Sequence, residues 1–309
     1  MIASLFRKST PLNYTIIIVL VLLFFSLYHF LKSDQQFDIQ ILLEQIVVGG
    51  AIFGSLFLVN FIVKKNGVSK DTSYSILFFF LFALFFPGIF DNLNIVLSNF
   101  FILLAMRRMM SLHSLKSHKE KVFDASLWVF VAALFHFWSI LFIALVFISI
   151  LFHVARDYKN WLLPFIALFA VTMTFVFFSL LIDPGRIDHV MAGMNTDVSL
   201  DYFSDTSQNI AFSIYATVAL FFLVSFASTF SARPLMLHSS YKKIVLSFFI
   251  GALVFVTSAN KSNELLLFTI APMAMISAAH LEITKSRFQK EFIVSLVTIS
   301  AFYNFFAQL

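Results

Sequence analysis

The sequence predicts an all-α fold, a polytopic transmembrane helical bundle formed as one domain over residues 1–309. Three observations carry that prediction. Hydrophobic residues make up 60% of the chain and charged residues only 12%, about half the charged share of a soluble domain, which must expose polar surface. Apolar runs recur along the whole length, separated by polar clusters. Lys and Arg sort onto alternate connections between those runs, as the positive-inside rule requires.

Taken in order, the apolar runs give about eleven spans: 13–32, 41–63, 74–90, 95–110, 124–136, 138–153, 162–182, 210–232, 243–257, 265–281 and 292–306. The first follows Arg7 and Lys8 in the manner of a signal peptide. It is long enough to cross, however, and no small-x-small cleavage site follows it, so it reads as a retained span. Gly50-Ala-Ile-Phe-Gly54, beside Gly49, puts small residues on one face of the second span and predicts close helix packing there. Pro87 and Pro272 would open backbone hydrogen bonds in the third and tenth spans.

The stretch from Phe123 to His153 decides the topology. It holds 31 residues and one charge, Asp124, and as a single helix it would be ~46 Å long against a hydrocarbon core of ~30 Å. Folded back at His136-Phe137-Trp138-Ser139, it forms a short helical hairpin over 124–153. With the hairpin, 18 of the 21 basic residues share one side, leaving Lys32, Arg186 and Lys261 on the other. As one helix it would move eight of them across: Arg156, Lys159, Arg233, Lys242, Lys243, Lys285, Arg287 and Lys290. The hairpin reading therefore gives a bacterial inner-membrane, multi-pass protein with a cytoplasmic N-terminus and a periplasmic C-terminus. Its inner face is basic, which suits anionic membrane lipids and calls for no nucleic-acid partner.

Several chemistries are excluded. Without cysteine there is no disulfide framework, thiolate metal site or Cys nucleophile. The eight histidines divide between the two faces, with no His-x-x-x-His pair to gather iron. No acid or base falls at the centre of a span, which argues against a midplane proton relay. Asp124 reads as a helix N-cap, and Ser262 or Asn263 as a cap for the tenth span.

Polar residues do gather on the outer rim. Asp34, Asp38 and Asp91 are the candidate catalytic acids. Glu44, His136, Trp138, Arg186, Lys261 and Glu264 are the candidate substrate-binding residues, and no metal set is proposed. The longest connection, the external loop 183–209, carries Pro-Gly and several Asp, with a short surface helix expected over 187–194.

Phe123-Asp124-Ala125-Ser126-Leu127-Trp128 and Asn99-Phe100-Phe101 resemble features of an uncharacterised family of multi-span inner-membrane proteins from Bacteroidota. More remotely, Asn99, Arg107-Arg108, Lys121-Val-Phe-Asp-Ala and Ala132-Ala133-Leu134-Phe135, followed by a second short helix, are similar to the GT-C glycosyltransferases that use polyprenyl-phosphate sugars. That resemblance implies an acid in the first external loop, where Asp34 or Asp38 would correspond, and a polyprenyl-phosphate-linked sugar as partner beside membrane lipids. The loop departs from the pattern: 33–40 is short and carries no adjacent acidic pair. Three readings follow: a lipid-linked sugar handled at the outer leaflet, a transporter or flippase, and a non-catalytic subunit of an envelope assembly.

Overall fold

The computed structural model describes residues 2–32, 38–69, 71–198, 205–259 and 261–309. Its helices are α1 (Ile2–Leu5), α2 (Pro11–Lys32), α3 (Ile39–Lys65), α4 (Tyr74–Ala83), α5 (Leu93–Met110), α6 (His118–Phe135), α7 (Ile143–His153), α8 (Tyr158–Ile182), α9 (Gly185–Ala192), α10 (Thr206–Ser228), α11 (His238–Thr257), α12 (Leu267–Ile283) and α13 (Arg287–Ala307). Short 3-10 turns join several of them. An isolated antiparallel bridge, Thr196 to Ser258, is the β contact among the described residues.

Among the described residues seven helices are long and apolar enough to cross a membrane: α2, α3, α5 with its following turn, α8, α10, and α11 and α12 with their preceding turns. Every expected span contains a helix, but α4, both arms of the hairpin and α13 are shorter or less apolar than a crossing helix. This is a multi-pass membrane protein built as an all-α bundle.

α4 is both short and wholly buried. All ten of its residues are buried, and Pro87 disfavours a helical conformation at Phe86, whose φ of −134° and ψ of 74° end the run. α12 is likewise buried from Leu267 to Ala279 and continues through Pro272. These two helices form the centre of the bundle. Around them lies an aromatic cluster in which Phe82, Phe85 and Phe86 each meet the Tyr215 ring of α10 edge-on. Tyr215 donates to Thr269 Oγ1 at 2.7 Å, because the Thr269 hydroxyl is itself given to the Leu266 carbonyl. Gly54 lets α3 close on α5, where an added Cβ would stand 2.7 Å from the Phe100 ring.

The break in the central stretch is where the sequence places it. α6 ends at Phe135, His136 is extended (φ −140°, ψ 108°), and a 3-10 turn over Phe137–Phe142 leads into α7. Lys243, near the start of α11, touches both the end of α5 at Met109 and the end of α7 at His153. His136 meets Ser258 at the far end of α11. α7 therefore returns toward the side on which α6 began.

Side-chain bonds define the two faces. One carries Arg108–Asp124 at 2.9 Å, Lys119–Asp157 at 3.3 Å and Lys64–Asp71 at 3.1 Å. The other carries Lys32–Asp91 at 2.8 Å and the bonds described below. Asp124 is not an N-cap: α6 starts six residues earlier at His118, and the carboxylate pairs with Arg108 instead.

Candidate functional site

The acidic face is organised around the start of α12. Asn263–Leu266 form a 3-10 turn that runs into α12 and carries Glu264. Its Oε2 accepts from Asn92 Nδ2 at 2.6 Å and from Ser262 Oγ at 3.3 Å. Asn92 serves twice, since its Oδ1 also accepts from the Ile95 N–H and caps α5. On the other side Oε1 lies against Gly88, where an added Cβ would overlap it. Neither Ser262 nor Asn263 caps the helix with its side chain: Ser262 turns to Glu264, and Asn263 Nδ2 donates to the Gln208 carbonyl at 2.9 Å.

Glu264 stands between two cavities. The smaller, about 200 Å³, is lined by Tyr28, Lys32, Gly88, Gln208 and Gln308. The larger, about 640 Å³, is lined by Asn92, His136, Trp138, Ser258 and Lys261, with Val190, Ala192 and Gly193 also on its wall. His136 Nε2 lies 3.0 Å from Ser258 Oγ. The Ser258 hydroxyl hydrogen goes to the Val254 carbonyl at 2.7 Å, so in the neutral ring Nε2 carries the proton and Nδ1 is the acceptor. The His136 ring borders this space and lies 5.8 Å from the Phe268 ring of α12.

The segment after α9 closes over the larger cavity at three consecutive residues. Trp138 Nε1 donates to the Asn195 carbonyl at 3.2 Å, Thr196 bridges Ser258, and Lys261 Nζ donates to the Asp197 carbonyl. The short surface helix expected over 187–194 is α9, two residues earlier.

Of the candidate residues, the structure brings His136, Trp138, Lys261 and Glu264 to the cavity, with Asp91 beside Asn92 and held by Lys32. It does not bring Asp38, Glu44 or Arg186 there. Asp38 caps α3 by accepting the Gln40 N–H at 3.1 Å. Glu44 is exposed on α3. Arg186 lies on α9 beside Asp183 at 3.8 Å. Asp34 lies outside the described residues. Among the described residues no three His, Asp or Glu gather as a metal set.

Sequence reasoning missed Gly88, Tyr28 and Ser258. Lys32 carried a signal, as one of three basic residues on the wrong side of the charge rule. Comparison with protein-family models, curated proteins and solved structures finds no match.

Proposed function

We propose that the cavity beside Glu264 receives the polar head of a lipid-linked sugar phosphate at the outer leaflet of the bacterial inner membrane. The observation that carries this reading is the Glu264 carboxylate, held by Asn92 at the junction of the two cavities and facing Lys261, His136 and Trp138 across the larger one. The chemistry is complementary to such a head. Lys261 supplies positive charge for phosphate. The Trp138 ring offers an apolar face with a polar edge. Glu264 and His136 Nδ1 accept hydrogen bonds from sugar hydroxyls. In a transfer reaction Glu264 is the candidate base, a role the GT-C resemblance would give to Asp34 or Asp38.

The same reading has the chain crossing eleven times. α4 with its following turn and the second arm of the hairpin would be short crossings, while the first arm and α13, 18 and 21 residues long, would cross at full length. It is supported by the segregation of basic residues, which puts the N-terminus in the cytoplasm and the Glu264 cavity outside. In a chain without native cysteine, Phe137→Cys should label from the outside only; labelling from the inside would overturn the orientation.

Mass spectrometry of lipids retained by the gently purified protein tests the function. A polyprenyl phosphate or its glycosylated form should co-purify with the wild type and be lost from Glu264→Gln and Lys261→Ala. Identical bulk phospholipid in all three would count against the reading.

A further inference from the structure

Toward the opposite, basic face, a groove of about 590 Å³ runs along α3, lined by Phe57, Asn60, Phe61, Lys64 and Lys65. These residues recur at i, i+3, i+4, i+7 and i+8 and so share one face of the helix. The buried residues of α3, among them Ser55, Val59, Ile62 and Val63, take the other face, so the groove opens away from the bundle. α2 borders it on one side, where Tyr14 meets Asn60 and Lys64, and α5 on the other, where Arg107 meets Phe61. α3 is long and apolar enough to cross, and the face a crossing helix turns away from its bundle meets the bilayer.

One end of the groove is cationic. Lys65 Nζ lies 5.4 Å and the Arg107 guanidinium 4.7 Å from the centre of the Phe61 ring, so the two are no more than about 10 Å apart. Their chain neighbours are engaged, Lys64 with Asp71 and Arg108 with Asp124. Among the described residues Lys65 and Arg107 enter no ion pair. The carboxyl ends of α3 and α5 each place about −0.5 charge beside them, which offsets roughly half of their charge and leaves the groove end positive. From there an apolar track climbs the same face of α3. Phe61 and Phe57 are 38% and 44% exposed, and a Cβ added at Gly50 meets nothing within 4 Å. From Phe61 to Gly50 the track covers roughly 17 Å at the helical rise, about half the thickness of the hydrocarbon core. The groove thus matches an anion that carries an apolar tail one leaflet deep. A second copy of the chain, inserted the same way round, would bring its own basic face against the two cations.

We propose that this groove binds an anionic phospholipid, with its phosphate between Lys65 and Arg107 and one acyl chain along the track from Phe61 to Gly50. The phosphate oxygens accept from the ammonium and guanidinium groups, and the bound lipid links the ends of α3 and α5. The site is separate from the Glu264 cavity and does not depend on its function.

Native mass spectrometry of the full chain in nonionic detergent, titrated with dioleoylphosphatidylglycerol or dioleoylphosphatidylcholine, provides the test. The wild type should bind the anionic lipid more tightly. Lys65→Gln/Arg107→Gln should lose affinity for it by roughly thirtyfold and fall to the level of the zwitterionic lipid. Lys65→Gln alone, at an exposed position, should lose roughly fivefold, and it decides the matter should the double variant fold poorly. Arg156→Gln/Lys159→Gln, which removes the same charge elsewhere on that face, should bind as the wild type does. Equal affinity of the wild type for the two lipids, equal loss in the two double variants, or no loss from Lys65→Gln would overturn the site. Displacement of the phospholipid by equimolar glycerol phosphate would assign the groove to a soluble phosphate and overturn the lipid. A dimer of the chain that Lys65→Gln/Arg107→Gln dissolves would assign it to a second copy, with the same consequence.

Discussion

Lys243 Nζ lies 2.7 Å from the carbonyl oxygen of Met109, and this bond joins the start of α11 to the end of α5. Lys243 is fully buried. The last carbonyls of a helix lack intrahelical donors and carry the negative end of its dipole, so they offer a buried amine a partner without any acid nearby. His153 Nε2, 3.3 Å away, adds the end of α7 to the same junction. The return of the hairpin is thus fastened at its far end by one side chain.

Shortening that side chain should loosen all three helices. Lys243→Ala removes the bond and leaves a void where the methylenes packed, a combined loss of about 3 kcal/mol. Lys243→Met keeps most of the volume and should lose about 1 kcal/mol. Thermal unfolding in detergent should rank wild type above Met and Met above Ala. An alanine variant as stable as the wild type would refute the fastening.

The glycines separate three cases on the same assay. A Cβ at Gly50 meets nothing within 4 Å, so Gly50→Ala should stabilise by up to about 1 kcal/mol through helix propensity alone. At Gly54 the obstacle is a Phe100 ring at 2.7 Å, which can turn aside. At Gly251 it is the Phe268 backbone carbonyl at 2.8 Å, which cannot move without parting α11 from α12. Gly251→Ala should therefore cost about 1–3 kcal/mol and be the most damaging of the three. Equal effects at Gly50 and Gly251 would contradict the close crossing.

The contrast among these glycines shows how much the sequence discloses. Gly49, Gly50 and Gly54 stand out as a cluster, whereas Gly251 stands alone and owes its importance to a helix distant in sequence. The helices and the break at His136 were legible because apolar length, helix-ending polar residues and basic loops are local signals. The complete burial of α4 was not. A Phe facing lipid and a Phe facing another Phe are the same letter, so Phe78, buried against Phe82 and Phe222, reads like the exposed Phe169. At the site, His136, Trp138, Lys261 and Glu264 were visible as polar residues on one rim. Asp38 was equally visible, yet a short acid before a helix serves as a cap as readily as a ligand.

Asp157 gives a pH dependence. The Lys159 N–H it accepts, and behind that the Lys119 ammonium, hold its carboxyl below the usual value near 3.8. A depressed carboxyl contributes stability above its unfolded pKa and loses it as pH falls through the folded one. Asn retains the capping oxygen but not the charge. Asp157→Asn should therefore unfold at a slightly lower temperature than the wild type at pH 7, with the gap closing below pH ~3. A gap that persists or widens in acid would contradict the assignment.

Gly88 and Glu264 should behave as a coupled pair. A methyl group at Gly88 overlaps Glu264 Oε1 and must displace the carboxylate from the position in which it accepts the 2.6 Å bond from Asn92. Gly88→Ala should cost about 1–3 kcal/mol through overpacking and weaken whatever the cavity retains. Glu264→Asp draws the carboxylate back by one methylene and should itself lose the Asn92 bond. Combined, the two changes should be less harmful than their sum, because the shorter acid vacates the space the methyl group needs. A double-mutant cycle on thermal unfolding measures this. Strict additivity would mean that Gly88 yields to the methyl by moving its own backbone, and that the carboxylate is not held in place from that side.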